Sequence, residues 1–482
     1  MPIPAASPDG GHSGAFALAL AAASLALHLF MAGRVDLSPQ EAYYWQYGRH
    51  LDLSYFDHPP LAAWTIRLAT ALFGQTERAV RLPAAFYAAL FALFFYLAGR
   101  RLFGARTAFW ALCTVGVAPL FALGQTVITP DAPLLAGWAA AFYFTVRALE
   151  GNAAWLLAAG AAVGVATLGK YTGWLLAPQI FLALTLDRRG RPFLLSPWPY
   201  LALGVALALF SPVLLWNARH DFVSFAFQIG WRASTSSPFS PRRMSSFIAL
   251  QAAAMTPLLA LAAWAAAVRS VRRSPAYRLC ALFALPLLLL CLGLSPFVWV
   301  KGNWAAAAYP TALLAAVALY REAPRPRWAV ATLGTALALS LYAHLVLALP
   351  ALPFPAREDV TAGWRTLAAR VEAERARIGG PSFVVGCTYK PASELAFYLP
   401  GQPETYSQNA LAEQGLAYDF WFDRRGLVGR EGIVVLDDRE WKNCLRREEL
   451  CRPLVALDPL VVHRGGEVVT TFRLWRCRYA GP

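Results

Sequence analysis

Glu41 stands in the stretch LSPQEAYYW, a few residues after a long apolar run. A carboxylate at the mouth of an apolar bundle can take a proton from a substrate hydroxyl or hold a cation. The same residue lies three positions after Ser38, the spacing of a capping box, so a structural reading stands beside the chemical one. Asp57 and His58 precede Pro59-Pro60 in YFDHPP. The two prolines stiffen the backbone and remove two N–H donors, which fixes where the acid and the imidazole point. Such a pair could begin a divalent-metal site or meet a phosphate. The competing reading is a polar turn beside an interfacial Tyr55-Phe56 pair. Asp131, in TPDAPLL, opens an apolar helix. There it either complements the positive helix end or joins the first-loop acids in one site.

Three cations complete the set. Lys170 in LGKYTG and Lys301 in VKGNW sit at or near membrane depth, where an unpaired charge is costly and a lipid phosphate is a natural partner. Snorkelling to the interface is the alternative. Arg232, in FQIGWRAS, is a third phosphate candidate, and His220 in WNARHD is a weak metal-ligand candidate. The chain carries no glycine-rich phosphate loop, dinucleotide fingerprint or paired CxxC zinc pattern. A nucleotide-fed reaction is therefore disfavoured, and an activated donor would have to be a lipid.

These residues must be held by a membrane scaffold. The 482 residues are 58% hydrophobic and 15% charged, with mean hydropathy +0.44. A soluble protein carries roughly 25% charged residues. Segments long enough to cross a bilayer fall near 14–32, 80–98, 107–123, 131–148, 153–168, 172–186, 199–216, 246–268, 279–294, 303–320 and 328–348. That makes about eleven transmembrane helices, within a range of 11–13. The 14–32 run lacks the basic flank of a signal peptide and is expected to remain as a first helix. The stretch 60–74 is too short and polar to span and suits an interfacial helix.

The formal charge of +15 is explained without nucleic acid. The loops GRRLFGAR, DRRGRP, RSVRRSPAYR and REAPRPR are short and arginine-rich, and helix parity puts all four on one side. The positive-inside rule makes that side cytoplasmic. The loops bearing Glu41, Asp57, Asp131, Lys170 and Lys301 then share the opposite face.

Beyond residue 350 the pattern changes. PSFVVGC, EGIVVLDD and VVTTFRLWRCRY alternate as strands do, and VTAGWRTLAARVEAERARIG reads as an amphipathic helix. The expected domains are a membrane catalytic domain over 1–349 and a small extracytoplasmic α/β domain over 350–482. Cys387, Cys444, Cys451 and Cys477 all fall in the second, an even number suggesting two disulfides. Cys444 with Cys451 would close the shortest loop; four reduced, buried cysteines are the alternative.

The ordered set SPQEAYYW…YFDHPPLAAW, TPDAPLL, LGKYTG, WNARHDFVSFAFQ and VKGNW resembles the bacterial branch of glycosyltransferase family 39, which includes protein-mannosyltransferase-like and aminoarabinose-transferase-like enzymes of the GT-C fold. ASELAFYLPGQP in the tail resembles the same branch. The resemblance covers most of the membrane region. It implies a multi-pass protein of the bacterial inner membrane, with its site and C-terminal domain facing the periplasm. It also implies an inverting transfer of sugar from a polyprenyl-phosphate donor to lipid A, another envelope glycan or a protein. On that reading Glu41 acts as base with Asp57 and Asp131 as further acids. His58, Lys170, Arg232 and Lys301 meet the donor phosphate, and Asp57 with His58 could hold a divalent metal. Two departures stand out. Gln40-Glu41 replaces the family's Asp-Glu pair, and Asp57-His58 replaces the Glu-Lys of the aminoarabinose-transferase turn. A transporter of lipid-linked sugar and a decayed lipid-binding scaffold are the competing classes; the first would show two matching halves with broken helices.

Overall fold

The computed structural model describes residue 30 and residues 32–231, 238–349, 351–440, 444 and 447–481. The expected first helix over 14–32 and Arg232 lie outside, or almost wholly outside, the described residues. The chain forms two compact units. The first holds His58–Ala62 and Arg81–His344; the second holds residues 32–57, Ala63–Val80 and 345–481. The first loop thus groups with the C-terminal domain rather than with the membrane helices that follow it.

The first unit is a helical bundle, and the chain is a multi-pass membrane protein. Among the described residues six helices are long and apolar enough to cross a bilayer: Glu77–Phe103, Asp131–Leu149, Trp198–Arg219, Pro275–Leu294, Gly302–Glu322 and Pro326–Leu347. The shorter apolar helices Ala105–Val117 and Trp155–Gly169, and the apolar stretch Tyr171–Leu186, occupy three more of the expected segments. Leu61–Phe73 leaves Leu68, Leu72 and Phe73 exposed, an apolar face suited to the expected interfacial position.

Two segments read as single helices are broken. The 246–268 segment becomes Pro241–Met255 and Pro257–Ser270, bent by 105°. Proline disfavours helical geometry at the preceding residue, and Thr256 takes φ 69° there. The 107–123 segment breaks the same way, with Ala118 extended before Pro119.

The helices approach closely where side chains are smallest. A Cβ on Gly137 would lie 2.7 Å from the Ala166 backbone nitrogen, and one on Gly160 would collide with the Ala202 carbonyl. Small residues at such crossings are how membrane helices gain packing when lipid supplies no hydrophobic drive. Phe142 and Phe283, both fully buried, meet edge to face at 5.0 Å in the core of the bundle.

In the second unit four strands, β1 (Phe383–Gly386), β2 (Glu431–Asp437), β3 (Cys451–Arg464) and β4 (Glu467–Tyr479), form a sheet in the order β1-β2-β4-β3. β1 and β2 are parallel; the other pairs are antiparallel. Ile433 and Val435 on β2 pack with Trp364, Leu367 and Leu395 of the helices Trp364–Ile378 and Tyr389–Tyr398. Val434 between them points to the opposite core, as a two-residue period requires.

β3 escapes the sequence reading because Pro453 and Pro459 interrupt it. It is an edge strand, where a missing N–H is tolerated, and register shifts flank both prolines. Gly465 and Gly466, both at positive φ, make the β3–β4 turn.

Two disulfides are present, but the expected Cys444–Cys451 pairing is not. Cys387 bonds Cys444, and Cys451 bonds Cys477. β3–β4 pairing sets Cys451 opposite Tyr479 and, after a register shift, Leu454 opposite Cys477, which leaves Cys451 near Cys477; Cys387 leaves β1 with its N–H on the Val435 carbonyl. Strand pairing, not loop length, selects the partners. Loop-closure entropy over separations of 57 and 26 residues predicts that Cys387→Ser costs about 4 kcal/mol and Cys451→Ser about 3.5 kcal/mol. Thermal unfolding of each variant under non-reducing conditions checks the order.

Candidate active site

In the second unit, helix Pro39–Arg49 begins at a complete capping box. The Ser38 N–H and hydroxyl both donate to Glu41 Oε2, at 3.0 and 3.1 Å, while the Glu41 N–H donates to Ser38 Oγ at 3.5 Å. Glu41 is fully buried. The structural reading of this residue is therefore realised. Oε1 takes no part in the box, so the chemical reading is compatible with it.

Asp57 accepts from two phenols one helical turn apart, Tyr43 at 3.3 Å and Tyr47. Residues four apart share a helix face, so AYYWQY is spaced to place both hydroxyls on one carboxylate. Burial first, then the charge of Asp57, pushes both phenols well above the usual tyrosine range. They remain protonated donors. The Ala417 N–H donates to Tyr43 Oη at 3.0 Å, and Trp421 meets Tyr47 edge to face at 5.6 Å. Tyr47 stacks on Tyr55 at 4.0 Å. This tyrosine enclosure was missed at the sequence level; the four-residue spacing of Tyr43 and Tyr47 was its only local signal.

Arg49 and His50, at 2.7 and 3.3 Å from Glu404, fix the far end of the same helix. Burial alone would raise the Glu404 carboxyl, but His50 and Arg49 outweigh it and hold it below its usual value.

His58 is half-buried and belongs to the first unit. Among the described residues no group of three or more His, Cys, Asp or Glu side chains is disposed to hold a metal ion. Asp57 and His58 thus do not complete a ligand set there.

In the first unit, Asp131 begins the helix Asp131–Leu149 and engages both its oxygens. Lys170 Nζ lies 2.7 Å from Oδ1, and Asn303 Nδ2 donates to Oδ2 at 2.7 Å. Lys170 and Asp131 keep only 12% and 13% of their side-chain surface. Lys170 follows the helix Trp155–Gly169 in extended backbone, which turns it back toward Asp131. The partner observed for Lys170 is internal, the Asp131 carboxylate, where a lipid phosphate was expected, and Asn303 of VKGNW was not anticipated. Lys301, two residues from Asn303, is exposed.

Asp131 and Asn303 also line a cavity of about 150 Å³, whose walls include Tyr87, Phe91, Phe121 and Leu135. The charged group in its wall is thus the Asp131 carboxylate, whose charge Lys170 meets, with the Asn303 amide beside it and apolar side chains around them.

Comparison with known proteins accords with the motif resemblance. The family described as Dolichyl-phosphate-mannose-protein mannosyltransferase matches residues 57–216. The lipid A galacturonosyltransferase RgtD of Rhizobium johnstonii is 28% identical over 298 residues, 60% of this chain and 62% of the relative, so the match leaves over a third of that protein unspanned. ArnT from Cupriavidus metallidurans bound to undecaprenyl phosphate superposes with TM-score 0.64 at 18% identity, covering 97% of this chain and 99% of that one. Its apo state gives the same TM-score over 98% and 100%. The chain therefore shares its fold with ArnT over nearly all of its length, and its residues 57–216 match the family described as Dolichyl-phosphate-mannose-protein mannosyltransferase.

Proposed function

We propose that this chain is an inverting glycosyltransferase that moves a sugar from a polyprenyl-phosphate donor to a lipid A-type acceptor. The buried Lys170–Asp131–Asn303 cluster, with Lys301 two residues away, carries this reading. The 28% identity to a lipid A galacturonosyltransferase supports the acceptor class. The arginine-rich loops support a bacterial inner-membrane location with the chemistry on the periplasmic face.

In the reaction, Glu41 takes the proton of the acceptor hydroxyl. That oxygen forms the new bond to the anomeric carbon as the bond from that carbon to the phosphate oxygen breaks, with inversion. Charge grows on the departing polyprenyl phosphate, where Lys301 and Lys170 stabilise it. Asp57 orients the first loop through Tyr43 and Tyr47. Asp131 fixes Lys170 and is itself held by Asn303.

Purified protein incubated with undecaprenyl-phosphate-linked galacturonic acid and lipid A should yield lipid A heavier by one sugar residue in mass spectra. Absence of that product with galacturonic acid, aminoarabinose and mannose donors alike would overturn the proposal.

A further inference from the structure

Residues 295–303 of the first unit are laced along the helix Pro241–Met255. At one end the Ser240 N–H donates to the Pro296 carbonyl at 3.0 Å, and Arg243 Nη1 donates to the Phe297 carbonyl at 3.1 Å. The rings of Phe239 and Phe297 meet at 5.9 Å. At the other end Gln251 Nε2 donates to the Gly302 carbonyl at 3.0 Å, and the Tyr309 hydroxyl holds Gln251 Oε1 at 2.9 Å. The segment turns at 295–297, where the Phe297 and Val298 N–H groups both donate to the Leu294 carbonyl, and is pinned at both ends.

What it displays is amphiphilic. Trp299 is 65% exposed, Phe239 59% and Phe297 42%. Arg242 and Lys301 are exposed beside them. No Asp or Glu occurs in the sequence between Asp221 and Glu322, so none of these segments supplies a carboxylate of its own. Aromatic rings favour the headgroup level of a bilayer, and arginine pairs with phosphate through charge-assisted bonds. The strip also runs directly into Asn303, which holds Asp131.

We infer that this strip docks the phosphorylated headgroup of the lipid acceptor. The inference rests on the proposed transfer to a lipid A-type acceptor and adds to it the surface that selects the acceptor. Arg242 meets a headgroup phosphate, Trp299 lies in the leaflet beside it, and Arg243 positions the strip through the Phe297 carbonyl.

The test uses the full chain in phosphatidylcholine nanodiscs doped with bisphosphorylated lipid A. Arg242→Gln and Trp299→Ala should each raise the KM for lipid A about tenfold, the worth of one charge-assisted bond or one anchoring ring. The donor KM, kcat at saturating acceptor and thermal unfolding should stay unchanged. Binding of lipid A to the same nanodiscs, measured without donor, should weaken by the same factor. Unchanged acceptor KM and binding in both variants would overturn the inference, as would equal binding of phosphatidylglycerol by the unsubstituted chain. Should that chain bind lipid A through the strip yet transfer no sugar, the proposed reaction fails while the docking surface stands.

Discussion

Glu41→Gln should abolish most transfer while leaving the protein folded. Glutamine can still accept the Ser38 bonds that close the capping box, so the helix Pro39–Arg49 keeps its start. It cannot accept the acceptor proton. The expected fall in single-turnover rate is about 10²–10⁴-fold, the usual contribution of a general base. Glu41→Ala also removes the carboxylate half of the capping box, the two bonds from Ser38, and should cost about 1 kcal/mol of stability in addition. Measured transfer and thermal unfolding across the two variants separate the two roles of the residue. If Glu41→Gln turns over at the unsubstituted rate, the residue is a cap only and the base lies elsewhere.

The second large effect belongs to Lys170. Replacing it by methionine leaves the Asp131 carboxylate, almost buried, with only the Asn303 amide of its two observed partners. Breaking a buried pair from one side costs about 3 kcal/mol or more. Adding Asp131→Asn removes the stranded charge, so the double variant should recover most of that loss. Its two neutral side chains still supply no cation, so donor turnover should stay reduced by about 10²–10³-fold. A double-mutant cycle in unfolding free energy, run beside donor kinetics, reads both. If the double variant regains activity together with stability, Lys170 serves the fold and not the phosphate.

Local pattern made much of this protein legible. Apolar runs located the helices because a bilayer-spanning helix must be apolar along its length. The capping box was readable because it is complete within four residues. β1 and β2 announced themselves as short β-branched apolar runs, and β4 as a longer mixed polar and apolar one. What sequence concealed was set by partners far away in the chain. Cys451 found Cys477 through a strand register that two prolines obscure. Lys170 found Asp131 39 residues earlier, and Asn303 reached the same carboxylate from 172 residues away. The bend at Thr256 had a local sign in Pro257, but proline in a membrane helix often only kinks it, so the sign alone did not fix a 105° break.

The grouping of residues 32–57 with residues 345–481 bears on how the molecule is made. Tyr43 takes its hydrogen bond from Ala417, and the Leu37 N–H takes its partner from the Tyr398 hydroxyl, across 374 and 361 residues. The start of the chain therefore emerges from the ribosome long before its partners exist. Its tyrosines and buried acids must wait, unsheltered, through the insertion of every later helix. Residues translated 374 and 361 positions later thus complete the surroundings of Tyr43 and Leu37, and synthesis interrupted before Tyr398 would leave both without these partners.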